Sequence, residues 1–158
     1  MSAAFRQANL GDIDLLVQMR FAYFASENFD VSKEQRDLIE NHLRNYLSNQ
    51  IKKSFFASLA EMDNVIVSVA YLAVTEKPAN PFFPTGKTGT ILNVYTHPQH
   101  RNQGYATQLL KSLIEEARKN QVAYLELSAS EMGKPLYQRL GFAEPDASRF
   151  TAMRLTLL

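Results

Sequence analysis

The sequence contains no cysteine. This absence excludes disulfide bonds, metal sites built from thiolates and a catalytic cysteine nucleophile. It also fits a reducing compartment, so we expect a cytoplasmic protein. No stretch approaches the roughly eighteen uncharged apolar residues that a membrane-spanning helix needs. The first residues, MSAAFRQANLGD, also lack the apolar run of a signal peptide.

The sequence also lacks an excess of charge of either sign. Seventeen basic and sixteen acidic side chains give a formal net charge of +1, which provides no support for nucleic acid or an anionic membrane as the main partner. Three scattered histidines form no His-x-x-x-His pair, so no metal site is predicted. A length of 158 residues with 46% hydrophobic content predicts one globular domain, residues 1–158.

Hydrophobic spacing in the first half of the chain predicts a strand, two helices and a β-hairpin. Residues 5–8 form the strand, and Asn9 or Asp12 can cap the helix that follows. Ser32, three residues before Gln35, has the spacing of a capping box at the start of the second helix. His42 lies on the apolar face of that helix, so we expect it to pack rather than to catalyse. SFFASLAEMD and VIVSVAYLAVTE then predict two strands joined by an Asp-Asn turn.

The second half of the chain predicts alternating strands and helices. TILNVYTHP, VAYLELSAS and FTAMRLTLL read as strands, and MGKPLYQRLGF reads as a short helix that Gly141 ends. The loop KPANPFFPTGKTG carries two adjacent phenylalanines, which could pack on their own domain, line an acceptor pocket or meet a partner subunit. The element order predicts a mixed α/β fold with a mostly antiparallel sheet and a right-handed parallel crossover over residues 90–128.

A glycine turn precedes the most regular helix of the chain. The turn is Arg101-Asn-Gln-Gly104-Tyr-Ala106, and an amphipathic pattern with apolar residues at helical spacing follows it. The first amides of a helix have no partner within the helix, so with the helix dipole they favour an anion. Gly104 lets a ligand approach the backbone closely, although a glycine can also simply begin a helix. On the residues alone, both interpretations stay open.

Two motifs resemble those of the GNAT N-acetyltransferase superfamily. Residues 91–107 resemble its acyl-CoA-binding motif, whose core pattern Gln/Arg-x-x-Gly-x-Gly/Ala is met by Arg101, Gly104 and Ala106. The family's Leu-Tyr-x-x-x-Gly-Phe signature is matched by Leu136-Tyr137-Gln138-Arg139-Leu140-Gly141-Phe142. The order of elements is also similar over nearly the whole chain. The resemblance implies one α/β (α+β) domain with a mixed, mostly antiparallel sheet of about six to seven strands and about four flanking helices.

The resemblance implies acetyl-CoA as a cosubstrate and no metal. The pyrophosphate would lie on backbone amides of the turn and first helical turn, which here are those of Asn102, Gln103, Gly104, Tyr105, Ala106 and Thr107, beside Arg101. Backbone groups of Val94, Tyr95 and Thr96 would hold the pantetheine arm and the acetyl carbonyl, and a free amide there would act as an oxyanion hole. Ser130 stands where the family often has an asparagine that contacts the CoA arm, although a serine can equally cap a helix.

The resemblance also assigns roles in proton transfer and acceptor binding. Tyr137 matches the family's usual general acid, since a phenol can protonate the departing thiolate. Glu126 resembles a strand glutamate that some members use as a base, but the segment from there to Tyr137 is one residue shorter, and such a slip turns a strand side chain to the other face. Glu27 is a second candidate base. Phe24, Glu27 and Asn93 are the expected acceptor-binding residues.

The implied activity is transfer of an acetyl group from acetyl-CoA to a primary amine of a small molecule or protein, by direct attack in a ternary complex. Two alternatives stay open: a non-catalytic CoA-binding regulatory module, and an enzyme of the same fold that uses another acyl-CoA. A polyamine, an amino sugar, an amino acid and a protein amine all remain candidate acceptors. A homodimer is compatible with the resemblance.

Overall fold

The computed structural model describes residues 2–158, which divide into two compact units, residues 2–128 and residues 129–158. Within these residues, no helix combines the length and the apolar content needed to cross a membrane. The first unit holds a five-stranded sheet and three α-helices. In chain order its elements are β1 (Ala4–Gln7), α1 (Ile13–Ser26), α2 (Lys33–Gln50), β2 (Phe55–Met62), β3 (Val65–Glu76), β4 (Lys87–Thr96), α3 (Tyr105–Lys119) and β5 (Leu125–Glu126).

The sheet has the strand order β1-β2-β3-β4-β5, so neighbours in sequence are neighbours in space. The first three pairings are antiparallel, and β4 and β5 are parallel. Asp63 and Asn64 join β2 to β3 with φ values of 52° and 64°, which is the geometry of a tight hairpin turn. The predicted hairpin and the predicted parallel strand–helix–strand connection are therefore confirmed.

Side-chain caps start the two N-terminal helical segments as the sequence predicts. Asn9 accepts a hydrogen bond from the amide of Gly11 and forms a capping box with Asp12 around a short 3₁₀ turn before α1. Ser32 accepts from the amide of Gln35, whose side chain accepts from the amide of Ser32 in return. Both caps satisfy amides that a helix start would otherwise leave without partners.

Helices cover both faces of the sheet in the first unit. Val69 and Tyr71 of β3 belong to the hydrophobic cluster that contains the apolar residues of α1 and α2. Their strand neighbours Ala70 and Leu72 are buried on the opposite face, because side chains alternate along a strand. The third helix packs on β2, β3 and β4 outside that first cluster, so it covers the second face. Its fully buried residues are Leu109, Leu110 and Leu113.

The aromatic loop between β3 and β4 packs partly on its own unit. The ring of Phe83 meets that of Tyr124 edge to face at 6.3 Å, and the Lys77 ammonium lies 4.8 Å from its centroid. Phe82 is 78% exposed. One of the two rings is thus covered by its own unit and the other faces outward.

The second unit, Ala129–Leu158, contains one short helix, α4 (Lys134–Arg139). Ser130 accepts hydrogen bonds from Gly133, through its hydroxyl, and from Lys134, through its carbonyl. Gly141 follows the helix with a φ of 99°, a left-handed conformation that suits glycine at a helix end. The predicted short helix and its end at Gly141 are therefore confirmed.

Two predicted strands differ in the structure. VAYLELSAS forms a strand only at Leu125–Glu126, and FTAMRLTLL forms none: all of residues 150–158 are exposed and lack regular structure. The described part of the sheet therefore has five strands, fewer than the six to seven expected, within the same fold class. Apolar residues in a strand-like pattern form a strand only where a neighbouring strand pairs with them.

Replacing Leu113 with alanine should destabilise the first unit strongly, because this side chain is fully buried between α3 and the sheet. A buried Leu→Ala change costs about 2–5 kcal/mol, from lost transfer energy and the cavity left behind. Urea unfolding followed by circular dichroism measures the loss. Lys111→Ala on the exposed face of the same helix is the control, and equal effects of the two changes would contradict the packing described here.

Candidate active site

A tight turn connects β4 to α3. After Thr96, residues Pro98–His100 form a 3₁₀ turn, and the Arg101 Nε donates a hydrogen bond to the Thr96 carbonyl at 3.1 Å. Asn102 and Gly104 then take left-handed conformations, with φ values of 62° and 81°. These two positions reverse the chain so that α3 starts directly above the end of the strand that precedes it.

The first turn of α3 presents backbone amides with no acceptor among the described residues. The first amide that finds a partner is that of Gln108, which donates to the Gly104 carbonyl at 3.2 Å. The turn contains no acidic side chain that would compete for an anion. Apart from atoms of the adjacent chain, a Cβ placed on Gly104 would meet no heavy atom within 4 Å among the described residues, so the space beside this glycine is open. This geometry fits a phosphate group.

The side chains of the turn that are buried or half-buried have structural roles. Tyr105 is buried, packs edge to face on Phe5 at 6.1 Å, and donates its hydroxyl proton to the Gln103 side chain at 3.0 Å. Ala106 and Thr107 are half-buried in the first helical turn. The residues predicted for the CoA turn thus lie together. The binding groups that they share are backbone amides rather than side chains.

A β-bulge interrupts the pairing of β3 with β4. Tyr95 stands opposite Val69 and Leu92 opposite Tyr71, so Asn93 and Val94 together face a single residue of β3. Asn93 takes a φ of 54°, as bulged residues often do. On the other side of β4, the pairing with β5 ends at Thr90, and beyond it no described strand pairs with that edge. Val94, Tyr95 and Thr96 continue β4 along this edge, where the Tyr95 carbonyl accepts from the Ser68 hydroxyl at 3.2 Å and the Thr96 carbonyl accepts from Arg101.

The side chain of Asn93 links the bulge to α1. It is 2% exposed, its amide nitrogen donates to the Met19 carbonyl at 3.3 Å, and its oxygen accepts from the Arg20 guanidinium at 3.4 Å. Asparagine tolerates the left-handed backbone that the bulge requires better than most residues. We predicted Asn93 as an acceptor-binding residue, and the structure places it between the strand and the helix.

A cavity of about 500 Å³ lies between α1, α2 and the sheet. This volume is within the range of small-molecule sites. Its walls are mainly apolar and aromatic, and include Leu16, Phe24, Tyr46, Phe55, Tyr71 and Leu92. The Tyr71 hydroxyl donates to the Leu16 carbonyl at 2.6 Å, and burial raises the pKa of both Tyr71 and Tyr46. Both phenols therefore stay neutral at physiological pH.

Arg20 contributes the one permanently charged side chain among the cavity residues of the described chain. Its guanidinium lies over the Phe24 ring, 4.7 Å from the centroid, and desolvation by burial lowers its pKa. The sequence prediction missed Arg20. A signal was present, because Leu16, Arg20 and Phe24 recur at a spacing of four and so share one face of α1.

The other predicted acceptor and base residues separate in the structure. Phe24 lines the cavity, whereas Glu27 is exposed at the C-terminal end of α1 and is not part of the cavity wall. Glu126 is exposed on β5, at the edge of the sheet. Glu126 and Glu27 therefore have the exposure of ordinary surface carboxylates.

The two predicted residues of the second unit lie at α4. Ser130 caps the turn before the helix through the hydrogen bond from Gly133. Tyr137 lies within the helix, half-buried, with its ring edge to face with that of Phe142 at 6.0 Å. Within residues 2–158, no group of three or more His, Asp or Glu side chains could hold a metal ion.

The mixed sheet, the bulge in β4 and the glycine turn at the start of α3 are arranged as the resemblance to the GNAT superfamily leads us to expect. The chain belongs to the acetyltransferase (GNAT) family, whose model matches residues 17–142. Acyl transfer is thus its class of reaction at the family level. No protein of curated function has a matching sequence.

Solved structures resemble the chain over nearly its whole length. A predicted acetyltransferase of Clostridium acetobutylicum, solved with acetyl-CoA, is 29% identical, with a TM-score of 0.84 and coverage of 96% of each chain. A GCN5-related N-acetyltransferase of Ralstonia eutropha is 26% identical, with a TM-score of 0.77 and coverage of 95% of this chain and 98% of that one. Ribosomal-protein-alanine N-acetyltransferase of Brucella melitensis, at 20% identity, a TM-score of 0.67 and coverage of 98% and 100%, shares the fold.

Replacing Gly104 with valine should weaken CoA binding at least about tenfold, which corresponds to about 1.4 kcal/mol. The added side chain enters the open space in front of the amides, where a phosphate would lie. Titration calorimetry with CoA measures the effect.

Gly86 in the β3–β4 loop provides the control for backbone strain. It has a φ of 77°, and a Cβ there would lie 2.9 Å from the Lys77 carbonyl oxygen. Gly86→Ala should therefore lower stability while leaving CoA affinity unchanged. Unchanged CoA affinity in Gly104→Val would refute the phosphate site.

Proposed function

We propose that the protein transfers the acetyl group of acetyl-CoA to a primary amine of a small molecule or protein, by direct attack in a ternary complex. One observation carries this proposal: the segment from β4 to α3 has both an unpaired strand edge and a row of free backbone amides. The strand edge suits the extended pantetheine arm of the thioester, and the amides suit the phosphates. The family and the relative solved with acetyl-CoA support the choice of donor.

The turn would hold the pyrophosphate through main-chain atoms. The amides of Asn102, Gln103, Gly104, Tyr105, Ala106 and Thr107 are the proposed donors, with the Arg101 side chain beside them. A helix N-terminus adds its dipole to these hydrogen bonds. The near-neutral chain then needs no basic patch to bind a polyanion, because the donors are concentrated at one point.

The unpaired edge of β4 would hold the pantetheine arm and the acetyl carbonyl. Val94, Tyr95 and Thr96 supply the backbone groups. An amide fixed by the bulge is a preorganised donor, so it stabilises negative charge on the carbonyl oxygen without having to reorient during the reaction. When bound, acetyl-CoA supplies a thioester, whose thiolate is a good leaving group.

Proton transfer would involve Tyr137 and a base. We propose Tyr137 as the general acid that protonates the leaving thiolate. Glu126 is exposed at the edge of the sheet, so we favour an ordered water as the group that takes the amine proton. We further propose that the protein acts in the cytoplasm, on a small molecule or a peptide.

Replacing Tyr137 with phenylalanine should lower kcat about a hundredfold or more, because it removes the proton donor and keeps the ring. Thiol release from acetyl-CoA with a panel of amines measures the rate, and calorimetry with CoA should show unchanged affinity. Tyr124→Phe, which removes a phenol from an exposed side chain of the first unit, is the matched control.

Full turnover by Tyr137→Phe would remove Tyr137 from the mechanism. CoA binding by the wild type without thiol release for any amine would instead indicate a non-catalytic CoA-binding module. Faster turnover with a longer acyl-CoA would indicate a different donor.

A further inference from the structure

The cavity of the first unit combines mainly apolar walls with one permanently charged side chain, that of Arg20, and one histidine, His42, which stacks on the Tyr46 ring. Of the residues that line it, Arg20 alone is permanently ionised, and none is a carboxylate. Aromatic rings from three different elements line the space: Phe24 of α1, Tyr46 of α2 and Phe55 of β2. An arginine in such surroundings loses solvation that its neighbours do not replace.

Arg20 has no acidic partner. Its one hydrogen bond goes to the Asn93 side chain, at a long 3.4 Å, although a guanidinium offers five N–H donors. None of the ion pairs among residues 2–158 includes it. By contrast, the more exposed Arg6, Arg44 and Arg118 each pair with at least one carboxylate. The arginine that loses most solvation is thus one that lacks a counter-charge.

The remaining donors of Arg20 are accessible. No fully buried side-chain nitrogen among the described residues lacks a hydrogen-bond partner, so the nitrogens of Arg20 that do not bond to Asn93 are reachable by solvent or a ligand. Arginine stays protonated at physiological pH even where burial lowers its pKa. A positive charge in a low-dielectric pocket attracts an anion more strongly than one in water.

We propose that this cavity binds the acceptor through a carboxylate held by Arg20, so that the acceptor is an amine that also carries a carboxylate and an apolar body. The identity of the reacting amine rests on the proposed function, whereas carboxylate recognition does not. The planar guanidinium fork matches a carboxylate in shape and charge. The aromatic and aliphatic walls would bury the hydrocarbon part.

The same arrangement disfavours other amines. A polyamine or an amino sugar with several ammonium groups would bring positive charge against Arg20, and no carboxylate of the cavity wall would offset it. Arg20 also reaches Asn93 of the β4 bulge. The carboxylate would therefore be held next to the strand to which the proposed function assigns the acetyl group.

Carboxylate binding can be measured without acetyl-CoA. The probes are 3-phenylpropionate and its neutral analogue 3-phenylpropanamide, which share one apolar body. The wild type should bind the acid at least about tenfold more tightly than the amide, by calorimetry, because a charge-assisted pair replaces a neutral one. Arg20→Gln, which removes the charge and keeps a planar amide, should abolish this preference.

Arg36→Gln is the matched control. The Arg36 guanidinium also lies over a ring, 4.0 Å from the centroid of Phe21, but it is exposed and does not line the cavity. This variant should keep the preference for the acid. Thermal unfolding checks that both variants fold. If Arg20→Gln does not fold, the affinities of the wild type for the acid and the amide still test whether the cavity prefers a carboxylate. Equal binding of the two probes by the wild type overturns the proposal.

A kinetic comparison separates this inference from the proposed function. With acetyl-CoA, kcat/KM should be higher for phenylalanine than for phenylalaninamide, and Arg20→Gln should raise the KM for phenylalanine with little change in kcat. Arg20-dependent binding of the acid without acetylation of any amine supports the carboxylate site and contradicts the proposed function. Acetylation of both amines with equal efficiency, unaffected by Arg20→Gln, supports the function and overturns the carboxylate site.

Discussion

The left-handed backbone of Asn93 lies where the pairing of β4 with β3 is interrupted, and the side chain of the same residue contacts the Met19 carbonyl and the Arg20 guanidinium. One residue thereby sets two geometries. Its backbone shifts the register with β3, and its side chain fixes α1 against the strand at the bulge. Because Asn93 is buried, its amide must keep these partners, or pay the cost of unmet hydrogen bonds. This contact joins α1, which carries the cavity residues Leu16, Arg20 and Phe24, to the strand that carries Leu92.

Local signals made much of the first unit predictable. The caps at Asn9 and Ser32 and the two-residue hairpin turn are short-range features, in which the residues that interact are neighbours in sequence. The anion site at Gly104 belongs to the same class, since a helix start and a glycine are enough to define its amides. What these signals share is that no distant residue is needed to form them.

Features that depend on distant partners were harder to predict. FTAMRLTLL has a strand-like composition, but a strand exists only where another strand pairs with it, and sequence periodicity says nothing of that partner. Arg20 looked like an ordinary helix arginine, because its importance comes from Asn93, seventy-three residues away, and from the aromatic residues of other elements. The only local sequence signal of the bulge is Asn93, an asparagine within the largely apolar and β-branched strand TILNVYT.

The glycine turn has a consequence for how this sequence can diverge. Its contribution to an anion site comes from main-chain amides, which every residue except proline possesses. The anion therefore does not restrict the side chain at Gln103, whereas the left-handed backbone restricts Asn102 and, together with the open space, keeps Gly104 in place. The amino-acid sequence of such a site can diverge while its backbone geometry is kept. Relatives can therefore be recognised by structural comparison after the sequences of their turns have ceased to be similar.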